Sequence, residues 1–157
     1  MKIIRASDHR GVNVRETILE YLRALPEYTV LLIDDQLSEN ADYPDIAAKV
    51  AQSVSSGAAD CGILICGTGI GTCVVANKFP GVRAAPCHNE VAAELSRKHN
   101  DANVLCLSGD LLGERSSVAV VAIWLVTQFE GGRHSIRLEK IRQLESADRT
   151  CMNQTDT

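Results

Sequence analysis

The chain has no stretch of about 20 apolar residues, so no segment reads as a membrane-spanning helix. Its first residues, Met1-Lys2-Ile3-Ile4-Arg5, enter a strand pattern directly, with no leader-like segment before it. Basic runs are missing too. Against 20 acidic residues stand 16 Lys and Arg, a net charge of −4, and no cluster is long enough to track a nucleic-acid backbone. The expectation is a soluble, cytoplasmic protein with neither membrane nor nucleic acid as partner. There is no C-x-x-C pair among the six cysteines and no histidine cluster at ligand spacing, which predicts reduced thiols and no structural zinc. Two nucleotide-binding signatures are also lacking: the third glycine of G-x-G-x-x-G would fall on Thr72, and no lysine stands in a phosphate-loop pattern. What is present is 157 residues, enough for one domain with a sizeable core and no need of disulfide or metal staples.

The most informative stretch is residues 61–78, C-G-I-L-I-C-G-T-G-I-G-T-C-V-V-A-N-K. Its first six residues are apolar and uncharged, the pattern of a strand buried on both faces. Gly67-Thr68-Gly69-Ile70-Gly71 follows, where glycines on alternate positions let the backbone turn tightly and approach a bound group. Residues 72–78 read as the first turns of a helix. A strand, a glycine loop and a helix start together can hold an anion or oxyanion, and Cys66 stands at the lip of that site. The same junction is common in α/β proteins that bind nothing there, and most free cysteines are small buried hydrophobes. It is the position of Cys66 that singles it out.

Taken in order, residues 2–6 read as a strand followed by the polar group Ser7-Asp8-His9-Arg10-Gly11. Val14, Ile18, Leu19, Leu22 and Leu25 recur at helical spacing, and Pro26 closes that pattern. Residues 29–33 are a second strand, with Asp34-Asp35 and a loop through Ser38, Asn40 and Asp42 behind it. Tyr43-Pro44-Asp45 opens a helix that Gly57 stops. Beyond the glycine loop come a fourth strand at 82–86, a helix capped by Asn89 and ending at His99-Asn100-Asp101, and a fifth strand at 103–107. The helix over about 114–128 is apolar on most of its circumference, which predicts a subunit interface over it. Gly131-Gly132 breaks it, and a last helix over 135–144 carries Arg133 at its start and Arg137 four residues on. Residues 146–157 read as a polar, frayed tail to a domain spanning 1–145.

Strands alternating with helices predict a three-layer α/β/α, Rossmann-like domain with a five-stranded parallel sheet. Ligands of such folds sit beyond the strand ends, where neighbouring strands send their helices to opposite faces. If the first and third strands are neighbours, Asp8-His9 and residues 66–71 flank one crevice.

These motifs together resemble a known family. Ser-Asp-His-x-Gly after the first strand, Asp42-Tyr43-Pro44, G-I-L-I-C-G-T-G-I-G, Ala76-Asn77-Lys78, His99-Asn100-Asp101 and Glu130-Gly131-Gly132-Arg133-His134 with Arg137 are similar, in this order and over about residues 2–145, to the ribose-5-phosphate isomerase B family. That family also includes galactose-6-phosphate and allose-6-phosphate isomerases. The resemblance implies a metal-independent, cofactor-free aldose–ketose isomerase working through a cis-enediolate, with its active site at a homodimer interface and further pairing to a tetramer open. By the match, Cys66 moves the proton between C1 and C2, with Thr68 beside it, and Gly67, Gly69, Ile70 and Gly71 supply amides for the enediolate oxygen. His99 opens the furanose ring, Asp8, Tyr43 and Asn100 contact the sugar, and His9, Arg133 and Arg137 form the phosphate end.

One position departs from the pattern. Where the family's ribose-phosphate enzymes carry an arginine that helps bind phosphate, eleven residues after the ring-opening histidine, this chain has Asp110. Three explanations fit: Asp110 points away, Arg10 in the first loop supplies the missing charge, or the substrate differs in length, stereochemistry or phosphorylation; the last is the expectation adopted. Two other functions compete: isomerisation of an unphosphorylated sugar, and a non-catalytic sugar-phosphate-binding subunit, which would need neither a thiol base nor a ring opener.

Overall fold

A computed structural model of the chain describes residues 1–33 and 42–152, the side chains of 148–152 excepted. The expected loop residues Asp34, Asp35, Ser38 and Asn40 lie outside the described residues. The elements are β1 (Lys2–Ser7), α1 (Val12–Arg23), β2 (Thr29–Leu32), α2 (Tyr43–Ser55), β3 (Cys61–Cys66), α3 (Ile70–Ala76), β4 (Ala84–Pro86), α4 (Glu90–Asn100), β5 (Val104–Ser108), α5 (Glu114–Val126) and α6 (Arg133–Met152). A 3₁₀ turn, His9–Gly11, joins β1 to α1.

The five strands of the described residues are all parallel, in the order β2-β1-β3-β5-β4. β3 lies at the centre and is buried along its whole length, as its uncharged sequence predicts. Its alternate residues feed two cores. Ile63 and Ile65 join Val14, Ile18 and Leu22 of α1 and Val120, Val121 and Trp124 of α5, while Leu64 joins Ile46, Val50 and Ala51 of α2 with Cys73 and Ala76 of α3. Each fully buried aliphatic side chain contributes about 1.5–3 kcal/mol relative to its exposed state. Gly62 lets α2 approach the sheet, since a Cβ there would stand 2.6 Å from Val50 Cγ1.

The register puts the functional loops at one level. Ser7 pairs with Ile65 and Cys66 with Ser108, so β1, β3 and β5 end side by side and release their loops at the same edge of the sheet. Because β1 and β3 are direct neighbours, Asp8-His9 and Cys66-Gly67 flank one crevice, with Asp8 N donating to Ile65 O at 3.1 Å.

Three elements differ from the sequence expectation. β4 keeps only three residues, because Val82 and Arg83 bond instead to the turn before them and to Asn103. α5 ends at Val126, two residues before the expected 128, and α1 and α4 pack along it while it covers the sheet. α6 starts two residues earlier than 135 and continues to Met152, past the expected end at 144, because polarity alone does not stop a helix and no glycine or proline intervenes.

Candidate active site

At the edge where the strands end, β3 delivers Cys66, 5% exposed, into the glycine loop. Its Sγ accepts a hydrogen bond from Gly69 N at 3.1 Å and lies 3.5 Å from Thr72 Oγ1, which itself donates to Gly69 O at 3.2 Å. The loop therefore folds over the sulfur. Gly69 takes φ of +78° and a Cβ there would meet the Leu107 carbonyl at 3.1 Å, so both conformation and space require glycine. Thr68 is exposed, and its Oγ1 accepts from Ile70 N at 3.3 Å. The amides of Gly69 and Ile70 are thus engaged inside the loop, one on the thiol and one on the threonine. The Tyr43 ring, from the start of α2, closes on Gly71, where a Cβ would be 2.6 Å from Cε2.

Asp8 is buried at the end of β1, and its Oδ1 accepts from Arg10 N at 2.9 Å, capping the 3₁₀ turn that carries exposed His9. Its structural role is therefore real, and it still stands at the crevice. From the far side comes the β5 loop: Gly109 N donates to Cys66 O at 2.8 Å and Asp110 N to Gly67 O at 3.1 Å. Asp110 is not turned away. Its carboxylate pairs with Arg10, Nη2 to Oδ2 at 2.7 Å and Nε to Oδ1 at 3.2 Å.

His99, Asn100, Arg133 and Arg137 lie elsewhere. A helix that follows a parallel strand carries the chain back to the opposite edge, and α4 ends where the strands begin. Arg83 Nε donates to Asn100 O at 3.1 Å just before β4, and the start of β3 is tied to Asn103 by Gly62 N to Asn103 O at 2.9 Å. The five-residue β5 separates this edge from the Cys66 edge by roughly 15 Å at about 3.3 Å per residue. The sequence-predicted residues thus form two groups in one chain: Asp8, His9, Tyr43, Cys66 and the loop 67–71 at one edge, and His99, Asn100, Arg133 and Arg137 at the other.

The second group is organised by a residue that sequence reasoning left without a role. His134, 3% exposed, stacks on His99 with ring centroids 4.3 Å apart and planes 5° from parallel. Arg133 Nε donates to His134 Nε2 at 3.4 Å, which places the ring proton on Nδ1, a buried atom without a hydrogen-bond partner among the described residues. Burial first, then His99, Arg133 and Arg137, hold the His134 pKa below its ordinary value. Glu130, His134 and His99 bring ligand atoms within 4.8 Å of one another. The stacked rings direct their lone pairs in parallel planes, a poor geometry for one tetrahedral ion. Arg133 and Arg137 are exposed, one helical turn apart on α6.

Comparison with known proteins places the chain. The family model described as Ribose/Galactose Isomerase matches residues 3–141. The chain belongs to that family. Within it, the chain is 43% identical to ribose-5-phosphate isomerase B of Escherichia coli, over 92% of this chain and 96% of that protein. It is 36% identical to D-erythrulose-4-phosphate isomerase of Pectobacterium atrosepticum, over 95% of this chain and 98% of that one. Among solved structures, ribose-5-phosphate isomerase B from Mycoplasma genitalium with bound ribulose-5-phosphate superimposes with a TM-score of 0.87 at 41% identity, covering 92% of this chain and 96% of that one. Family members with different phosphorylated sugars in their names therefore stand at comparable distance.

Proposed function

We propose that this protein is an aldose–ketose isomerase of a phosphorylated sugar, and that its working site is built from two copies of the chain. Family membership carries the reaction class. The division of the site residues between opposite sheet edges carries the two-copy arrangement, because a thiol base and a ring-opening imidazole separated by roughly 15 Å cannot act on one sugar. A twofold pairing that sets the Cys66 edge of one protomer against the His99 edge of its partner completes two identical sites. Uncovered apolar side chains support such a pairing: Val91 on α4, Val126 on α5 and Ile136 and Leu144 on α6 are all more than 60% exposed.

In this reading the partner's imidazole at position 99 moves the ring-opening proton, and Cys66 Sγ takes the proton from the carbon next to the carbonyl. As that C–H bond breaks, negative charge develops on the enediolate oxygen. The glycine-loop amides not engaged on Cys66 or Thr68 meet it there, together with Thr68; one well-placed donor of this kind contributes about 3–4 kcal/mol. Cys66 returns the proton to the neighbouring carbon while the hydroxyl proton passes from one enediolate oxygen to the other, so the reaction is redox-neutral overall. Asp8, Tyr43 and Asn100 orient hydroxyl groups, and His9, Arg133 and Arg137 hold the phosphate.

The deciding experiment is steady-state turnover of ribose 5-phosphate, erythrose 4-phosphate, allose 6-phosphate, galactose 6-phosphate and the free sugars, compared as kcat/KM. Preference for one of the phosphates supports the proposal and names its substrate. Preference for a free sugar, or binding without turnover, refutes it.

A further inference from the structure

Arg10 and Asp110 lie 100 residues apart in sequence, yet they close a two-point ion pair over the crevice. Both ends are anchored by main chain. The Arg10 amide is held by Asp8 Oδ1, and the Asp110 amide by Gly67 O, whose oxygen also accepts from Ser108 Oγ at 2.6 Å. The pair rests directly on the residue after Cys66. A Cβ at Gly67 would meet Asp110 Oδ2 at 2.9 Å and Arg10 Nε at 3.2 Å, and a Cβ at Gly109 would meet Arg10 O at 2.4 Å, so two glycines make room for this contact.

The fork geometry decides what the guanidinium has left. Asp110 takes Nε–H and one Nη2–H. Of the five donors, the three on the Nη1/Nη2 edge remain, a second fork matched to two oxygens of an anion. More than half of the Arg10 side chain is open to solvent, so an incoming group can reach it. The carboxylate meanwhile offsets the arginine's charge and fixes the plane in which that edge lies.

We propose that Arg10 is a contact for the substrate's anionic group on the Cys66 side of the crevice, and that Asp110 orients and attenuates it. Together they set the preference between phosphorylated and unphosphorylated sugars. The inference rests on the sugar-phosphate isomerase reading. An arginine already half-neutralised supplies directional hydrogen bonds with little net charge, so losing it removes phosphate affinity, while losing its carboxylate raises that affinity.

The test compares kcat and KM for the preferred sugar phosphate and its free sugar in the wild type, Arg10→Ala, Arg10→Lys, Asp110→Asn and the Arg10→Ala/Asp110→Asn double variant, with thermal melts confirming folding. Arg10→Ala should raise KM for the phosphate about tenfold, hold kcat within about twofold and leave KM for the free sugar in place. Arg10→Lys, a point charge without a fork, should recover only part of the loss. Asp110→Asn should lower KM for the phosphate about threefold, and that shift should vanish in the Arg10→Ala background. Equal effects on both sugars, no effect of Arg10→Ala, or an Asp110→Asn shift that persists without Arg10 would each overturn the proposal. Should the wild type turn over no sugar phosphate, the isomerase reading fails by itself. Calorimetry with inorganic phosphate on the same variants then decides the arm: weaker binding in Arg10→Ala upholds it, and unchanged binding overturns it.

Discussion

Two inactive variants should restore activity to each other when their subunits mix. Cys66→Ala removes the base at one sheet edge and His99→Ala removes the imidazole at the other, so each variant alone has two defective sites per dimer. Random reassociation of equal amounts gives roughly a 1:2:1 distribution, and half of the dimers are mixed. In a mixed dimer, one site combines both defects and the other combines an intact Cys66 with an intact His99. Activity should therefore recover to about one quarter of the wild-type value per subunit. The assay is co-refolding, or co-expression with two affinity tags, followed by turnover of the sugar phosphate. The structure also supplies a control: Asp8 lies on the same edge as Cys66, since Ser7 pairs with Ile65 in the sheet, and both residues come from one protomer. Mixing Cys66→Ala with Asp8→Asn should leave every site with one defect and restore nothing. Restoration by the same-edge pair, or none by the cross-edge pair with mixed dimers demonstrably present, would refute the two-copy site.

Two further outcomes are expected. Cys66→Ala should lower kcat by about 10²–10⁴-fold while sugar-phosphate binding measured by calorimetry stays largely intact, because the sulfur moves a proton and does not hold the phosphate; wild-type turnover would rule out the base assignment. His134, with its pKa held below the ordinary 6.5 by burial and its cationic neighbours, stays neutral in the fold when the unfolded chain takes up a proton. Its contribution to stability is thus complete above pH 6.5 and is lost as pH falls from there through the lower folded value. His134→Phe, which keeps a ring against His99, should flatten the decline of melting temperature over that acid range; an unchanged decline would refute the assignment.

Much of the fold is legible in residues 61–66, whose uncharged apolar run gives the central strand, and in the spacing of Val14, Ile18 and Leu22, which gives α1 its sheet-facing side. Alternation of strands and helices also implies, before any coordinates, that His99 at the end of α4 returns to the edge opposite Cys66. That geometric signal lies in the topology and in no motif. Contacts between distant segments were less legible. The His99–His134 stack joins the end of α4 to α6, and sequence spacing alone shows no such histidine cluster. Arg10 was foreseeable as a compensating charge, but not its fork onto Asp110. Asn77, part of a recognised motif, turns out to brace the edge strand: its amide donates to Ala84 O at 3.0 Å and its carbonyl accepts from Ala84 N at 2.8 Å.

Asp110 makes most sense in terms of the site before substrate arrives. In the proposed dimer, His9 and Arg10 of one protomer face Arg133 and Arg137 of its partner, and two like charges about 4 Å apart cost about 4 kcal/mol at an effective dielectric near 20. A carboxylate on Arg10 offsets part of that repulsion in the empty crevice, and the incoming phosphate then takes over the same task. Asp110→Asn should consequently lower the melting temperature of the ligand-free protein and enlarge the increase produced by saturating sugar phosphate. The pair is partly exposed, with side chains 58% and 32% accessible, so its worth lies at the surface-pair scale of about 0.2–1 kcal/mol, which for a chain of this size corresponds to a drop of at most about 2–4 °C. Differential scanning calorimetry with and without the sugar phosphate reads both shifts. If the ligand-free protein melts unchanged and the ligand-induced increase is no larger, Asp110 is not the counter-charge of an empty phosphate site.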